Sequence, residues 1–360
     1  SGLAFLIIII VLLVHPQGLQ TLWRGGKQRS HSGDTSVEGL IIFAVSIITF
    51  GSIYGIVCLA LNMEAGTGPL WDLGIVAYFG IGAYTYVLLT ANPAAPYQHY
   101  IFGFGLPMWL GGVGAAVTCG LAAWVISIPT LRLKKEYFLI VTLAMAEVVR
   151  QLYINEDWLT NGVAGIYGLE QPLKQHFSIA TYPYVLMAIS LTALAIAFAI
   201  TSKISNSPFG RSAKAIRENE ALAITAGINL RRVSTRLYIL AGAMTGVAGM
   251  IAVWYNTLIV PSLFTSNFTF FIWAALIIGG IGNVRGALMG AFIFIILHDS
   301  LRFLQVSGEL ATAMSSLRTA LVGIVLILIL RIRPQGLFPE RRAIFDVKTN
   351  AVEKKDVKVA

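Results

Sequence analysis

Runs of about twenty consecutive apolar residues recur along this chain, and a run of that length leaves the backbone few options. The hydrocarbon layer of a bilayer is ~30 Å thick, and a helix crosses it in about 20 residues. Inside it every peptide N–H and C=O must find a partner within the protein, so only helices and closed barrels cross. A barrel would show alternating segments of about ten residues. Here the runs are continuous, at 2–15, 40–61, 70–90, 108–128, 136–153, 183–201, 236–256, 267–283, 286–305 and 316–331. The expected fold is therefore an all-α polytopic membrane protein with about nine or ten transmembrane helices, one of them broken or re-entrant. Charge agrees: 12% of residues are charged, against roughly 25% in soluble domains. A soluble enzyme, a disordered tail and a disulfide scaffold are excluded.

The net charge of +9 is localised. Residues 203–236 hold seven Lys/Arg against two Glu, and 331–360 hold eight against four acidic residues. A nucleic-acid partner would need a basic stripe on a folded domain, and none is legible. Lys and Arg collecting in loops next to apolar spans follow the positive-inside rule. Arg132, Lys134 and Lys135, the 203–236 loop and the tail are expected on the cytoplasmic side, with Glu156, Asp157 and Glu170 outside. Arg24, Lys27 and Arg29 favour a cytoplasmic 16–39, whereas ten full crossings from an inside N-terminus put that loop outside; the two agree only if 62–90 re-enters without crossing. The expected organisation is a short N-terminal helix and basic loop (1–39), a transmembrane domain (40–335) containing the 203–235 loop, and a tail (336–360).

Residues 62–84 interrupt this apolar pattern. Gly66, Gly68 and Pro69 break a helix, with Glu64 and Asp72 flanking the break. Irregular backbone at membrane depth must be buried in protein or line a wet cavity, and transporters build substrate sites from such broken helices. Asn62, Glu64, Gly66, Gly68, Trp71, Asp72, Tyr78 and Phe79 are the candidate substrate-pathway residues; a short interfacial loop is the alternative. Glycines four apart, Gly282/Gly286/Gly290, Gly242/Gly246 and Gly51/Gly55, let transmembrane helices approach backbone to backbone.

Little else carries chemistry. Gly26-Lys27 lacks the remainder of a phosphate-binding loop. The five histidines are scattered, and Cys58 and Cys119 lie in apolar runs, so neither a metal nor a disulfide is expected. His298-Asp299 reads as an interfacial pair. Glu147 and Arg150, three apart on one helix face, read as a mutually neutralised pair. In the basic loop, Arg211, Lys214 and Arg217 recur every three residues, with Lys214/Glu218 and Arg217/Glu220 spaced for local pairing; Glu220, Ala221 and Gly227 complete the segment. Two short helices with a basic face suit docking on a soluble protein, with anionic lipid headgroups as the alternative.

Several stretches in order carry a resemblance. Phe79-Gly80-Ile81-Gly82-Ala83-Tyr84-Thr85 follows the break, and Tyr137 to Ala144 precedes Leu159-Thr160-Asn161-Gly162. Gly210-Arg211 then leads through Ala215-Ile216-Arg217-Glu218-Asn219-Glu220 to Ala226-Gly227-Ile228-Asn229. Ile278-Gly279-Gly280-Ile281-Gly282-Asn283 and Arg333-Pro334-Gln335-Gly336-Leu337-Phe338 close the series. From about 40 to 340 the chain resembles the M-type membrane permease of branched-chain amino acid ABC importers. The resemblance implies a non-catalytic subunit of the bacterial inner membrane. Its partners would be a related H-type permease, two ATP-binding subunits and a periplasmic binding protein. The permease would hold no cofactor of its own, because those ATPase chains bind the ATP. It also implies that Glu220 to Gly227 is a coupling loop docking on the ATPase. Where the family has a Gly-Tyr-Ala-Gly-like turn and Ser-Leu-Gly-His, this chain has Ala65-Gly66-Thr67-Gly68 and Trp71-Asp72-Leu73-Gly74. That departure leaves polar or charged amino acids, amides and urea open as substrates. Leu12-Leu13-Val14-His15-Pro16-Gln17-Gly18-Leu19 echoes Arg331 to Leu337, as a fusion remnant or by chance.

Amino-acid import driven by partner ATPases is the leading expectation. A stand-alone ion-coupled carrier using Glu64, Asp72 and Glu147 is the second, and an intramembrane enzyme lacks a nucleophile–base or metal constellation.

Overall fold

The computed structural model describes residues 32–93, 98, 100–300 and, further on, 320, 323, 324, 327, 328, 330–333 and 335–340. The 2–15 run, its Pro-Gln-Gly echo, most of 316–331 and the tail beyond 340 lie outside the described residues.

The apolar runs become helices: α1 (Ser32–Leu61), α2 (Ile75–Thr90), α3 (Met108–Thr130), α4 (Lys135–Asn155), α5 (Tyr182–Asn206), α8 (Leu230–Asn256), α9 (Ser266–Gly279) and α10 (Val284–Ser300). Two short helices of the basic loop, α6 (Pro208–Glu218) and α7 (Glu220–Thr225), separate α5 from α8. Among the described residues six helices are long and apolar enough to cross a membrane, and the protein is an all-α, multi-pass membrane protein. α2 is shorter; its 16 residues cover about 24 Å, and a non-helical stretch precedes it. A two-residue antiparallel ladder pairs β1 (Ile166–Tyr167) with β2 (Leu258–Ile259) at the end opposite the basic loops.

α8 is the central helix, with fourteen buried residues. Small residues explain how it is surrounded. A Cβ on Gly246 would meet the Cys119 sulfur and, at 2.9 Å, the Ala115 carbonyl of α3; one on Gly242 would meet Ala123 at 2.9 Å. On its other side Gly249 abuts the Phe79 carbonyl of α2, and Gly82 of α2 abuts the Gly246 backbone. Gly286 and Gly290 seat α10 against Gly279 of α9, while Gly51 and Gly55 seat α1 against Phe292 and Leu194. Gly82, Gly246, Gly249, Gly286 and Gly290 thus bring backbones together, as membrane helices without a hydrophobic drive between them require. Gly282 is different from the expected continuous stripe. It lies in the α9–α10 turn with φ +90°, where its backbone faces Asn62, Arg217 and Glu340 instead of a neighbouring helix. α4 is peripheral: Phe138, Thr142, Ala146, Val149 and Tyr153 form its single buried stripe.

Helix direction settles the order of the first spans. Phe50 of α1 packs on Tyr255 at the far end of α8, with ring centroids 4.3 Å apart. The segment after Leu61 meets Arg217 in the basic loop. α1 therefore runs from the opposite end toward the basic end, and α2 returns, its Tyr86 packing on Trp254. Residues 32–39, at the start of α1, thus fall at the end opposite the basic loops, where full crossings would put them and not where the upstream charges alone point. A full crossing by α1, which the three arginines and lysines upstream do not reveal, is the reason.

Candidate translocation and coupling site

α1 does not stop at Leu61 but widens into a π turn over Asn62–Thr67, all six residues buried. The Gly68 N–H donates to the Met63 carbonyl at 3.0 Å, one residue further back than an α-helix allows. Pro69 then has no N–H to continue the ladder, and Leu70 donates back to the Glu64 carbonyl at 3.0 Å. The chain runs non-helically to Gly74 before α2 begins. The π turn of the break is thus packed within the bundle, with all of Asn62–Thr67 buried.

Neighbouring elements hold it. The Asn62 side-chain oxygen accepts from the Gly282 N–H at 2.8 Å. A Cβ on Gly66 would sit 2.6 Å from that same nitrogen, so only glycine lets the turn approach. Thr142 of α4 accepts from the Leu73 N–H at 3.1 Å, and the Trp273 indole N–H of α9 donates to the Asp72 carbonyl at 2.8 Å. The Trp273 ring also stacks on half-exposed Trp71, centroids 5.4 Å apart. The Asp72 carboxylate accepts from the Gly74 N–H at 2.6 Å, tightening the turn just before α2.

The charges at the break are unusual. Glu64 and Asp72 are both fully buried. Neither oxygen of the Glu64 carboxyl group, nor Oδ2 of Asp72, has a hydrogen-bond partner among the described residues. Leaving a buried polar group unsatisfied costs about 1–3 kcal/mol, and intramembrane ionisable residues mark substrate or ion pathways by default. Tyr78 lies behind the break, edge-on to Tyr238 at 5.5 Å. Phe79 turns the other way and stacks on Phe268 at 4.5 Å. There, toward the end opposite the basic loops, a cavity of about 150 Å³ is lined by Phe50, Tyr54, Phe79, Phe264 and Phe268, with Asn256 as a polar group at its wall.

The basic loop reaches the break directly. Ser207 caps α6 by accepting from the Gly210 N–H at 3.1 Å, and Asn219 caps α7 from the Leu222 N–H at 3.1 Å. Gly227, at φ +81°, closes α7. Arg217 donates from Nη1 to the Gly66 carbonyl and from Nη2 to the Glu340 carboxylate at 2.7 Å. Lys214 lies 3.4 Å from the other Glu340 oxygen. The expected local pairs do not form: Lys214 turns to Glu340 instead of Glu218, and Arg217 to Gly66 and Glu340 instead of Glu220, with Glu218 an outlying contact at 3.9 Å. Arg211, Glu220 and Ala221 remain exposed. Leu222 and Ile224 project from α7 at 66% and 53% exposure.

Glu340 was not a candidate from sequence, nor were Trp273 and Thr142. Glu340 is positioned because residues 335–340 pack on the bundle: Leu337 and Phe338 donate to the Ile278 and Gly279 carbonyls at 2.9 Å, satisfying the end of α9. The packed segment thus extends past residue 335. Elsewhere, Glu147 and Arg150 form the expected ion pair, and His298 pairs with Asp299 at 3.1 Å.

Residues 43–330 match the family of branched-chain amino acid transport system permease components. The chain belongs to that family. The high-affinity branched-chain amino acid transport system permease protein LivM of Escherichia coli K12 is 27% identical over 331 residues, 86% of this chain and 73% of its own. A probable LivM of Methanocaldococcus jannaschii is 26% identical over 336 residues, 83% and 94% of the two chains. The LivH permease of Escherichia coli K12 is 25% identical over 305 residues, 81% and 92%. No solved structure matches. The stretch matched to this permease family contains the break and the basic loop, while Glu340 lies beyond it.

Proposed function

We propose that the chain is the M-type permease of an ATP-binding-cassette importer in a bacterial inner membrane, carrying branched-chain or other neutral amino acids. It works beside a related H-type permease, above two ATPase subunits that bind the nucleotide, and below a periplasmic binding protein. The chain itself binds no cofactor and catalyses no reaction. Family membership favours this over a stand-alone carrier.

The observation that carries the mechanism is the contact of Arg217 with the Gly66 carbonyl. The exposed Leu222 and Ile224 of α7, with Arg211 and Glu220 beside them, form the face that docks on the ATPase. Closure of the ATPase pair displaces α6 and α7 together, and Arg217 passes that displacement to the π turn. Rearrangement of Asn62 to Asp72 then opens the path to one side and closes it to the other. Glu64 and Asp72 provide the polar part of the path, and the aromatic cavity beyond Phe79 provides its apolar part.

Reconstitution tests the reading. The chain, its H-type partner and the ATPases in proteoliposomes should take up labelled leucine only with ATP and binding protein. Uptake by this chain alone, without ATP, would establish a carrier instead.

A further inference from the structure

A second cavity, of about 490 Å³, lies at the basic end, between the far flank of the break and the start of α7. Four cationic side chains line it, Arg132, Lys134, Lys135 and Arg231, against two anionic ones, Glu136 and Glu220. Among the described residues none of the four cations has a carboxylate within ion-pair distance. The first turn of α4 opens onto the same cleft through Lys135 and Glu136, and the leading N–H groups of a helix lack helical acceptors and favour anions. Leu133 and Phe138 supply apolar wall, and Pro69 and Leu70, the far flank of the break, form its floor.

We infer that this cleft binds the phosphate-bearing headgroup of an anionic phospholipid. Concentrated positive charge would suit any phosphate. Two features favour a lipid. The cleft lies where α3 ends and α4 and α8 begin, the level at which the headgroups of anionic lipid attract Lys and Arg. Its walls also mix cations with leucine and phenylalanine, which suits a headgroup continuing into an acyl chain and not a fully hydrated ion. Contact with Pro69 and Leu70 on one side, and with Glu220 and Arg231 on the other, places the bound headgroup between the break and α7–α8. It braces the flank of the break that Arg217 does not hold.

Native mass spectrometry of the full-length permease tests this, with the protein released from nanodiscs of phosphatidylglycerol or phosphatidylcholine. Phosphatidylglycerol should stay bound at detergent levels that strip phosphatidylcholine. The triple variant Arg132→Gln/Lys134→Gln/Lys135→Gln should lower that retention by about tenfold or more. Arg231→Gln alone should lower it less, and Lys203→Gln, outside the cleft, should leave it unchanged. Arg231→Gln also keeps the test decisive should the triple variant misfold. Equal retention of both lipids by the native chain would overturn the inference. So would full displacement by millimolar inorganic phosphate, which would make the site one for a free anion. A loss of ATPase co-purification in the variants with lipid retention intact would identify a protein contact, and would equally overturn it.

Discussion

The guanidinium of Arg217 donates to the carbonyl oxygen of Gly66, 151 positions earlier in the chain, while its other amino group holds Glu340 at 2.7 Å. One side chain thereby ties the basic loop, the break in the first described span and the segment after the last span. Each partner is partly shielded, with side-chain exposures of 20% for Arg217 and 23% for Glu340. The Arg217–Glu340 pair should therefore exceed the ~0–1 kcal/mol of a surface ion pair without approaching a fully buried one. A double-mutant cycle with Arg217→Met and Glu340→Gln should return a coupling of about 1–2 kcal/mol in thermal unfolding in detergent. In the reconstituted complex, Arg217→Met should leave ATP hydrolysis running while uptake falls. Additive unfolding effects and normal coupling of hydrolysis to uptake would remove the role given to this contact.

Gly66 tests the close approach of the break to the α9–α10 turn. Gly66→Ala places a methyl group 2.6 Å from the Gly282 nitrogen, in backbone that cannot swing aside like a flexible side chain. Overpacking of this kind costs about 1–3 kcal/mol, which should appear as a lowered unfolding temperature. Gly39→Ala is the control, because nothing lies within 4 Å of its added Cβ. Equal effects of the two substitutions would show that the turns do not meet as described.

What the sequence made readable, and what it hid, follows from the range of the interactions involved. The break was legible because Gly66, Gly68 and Pro69 violate local helical preference inside an apolar run. The packing roles of Gly242, Gly246, Gly286 and Gly290 were legible because spacing by four puts small residues on one helix face. Gly282 shares that spacing but sits in a turn, where positive φ and not helix packing selects glycine. Arg217 was read as a partner for Glu220 because only local neighbours are visible in a linear pattern. Its acceptors come from residues 66 and 340, which only the assembled bundle brings together. The six-residue π turn was equally hidden, and so was the contact of Asn62 with Gly282, 220 positions away, that anchors its start.

Glu64 separates pathway chemistry from scaffolding. Its carboxyl group is fully buried and makes no hydrogen bond among the described residues, so neutralising it breaks no hydrogen bond within the chain. Glu64→Gln keeps the shape and discards the charge. Unfolding temperature should hold or rise, within about 1 kcal/mol equivalent, while ATP-driven uptake of leucine falls. A variant that destabilises the chain and transports normally per folded molecule would make Glu64 a structural residue.

Leu222 and Ile224 carry the last prediction. Large apolar side chains 66% and 53% exposed on a six-residue helix bury little within this chain, so scaffolding does not account for them. Ala223 between them is buried, and Asn219 and Gly227 fix the helix ends, so α7 presents the pair in a defined orientation. Leu222→Asp or Ile224→Asp should leave the unfolding temperature within about 0.5 kcal/mol equivalent, as for ordinary surface changes. Each should also lower co-purification of the ATPase subunits, because an uncompensated carboxylate would enter an apolar contact. Arg211→Glu, exposed on the same loop, should weaken association less and in a salt-dependent way. Arg217→Met should leave association intact and impair uptake alone, since that side chain faces inward. If Arg217→Met lost the ATPase while Leu222→Asp and Ile224→Asp kept it, the docking face would lie on α6, and α7 would have no part in it.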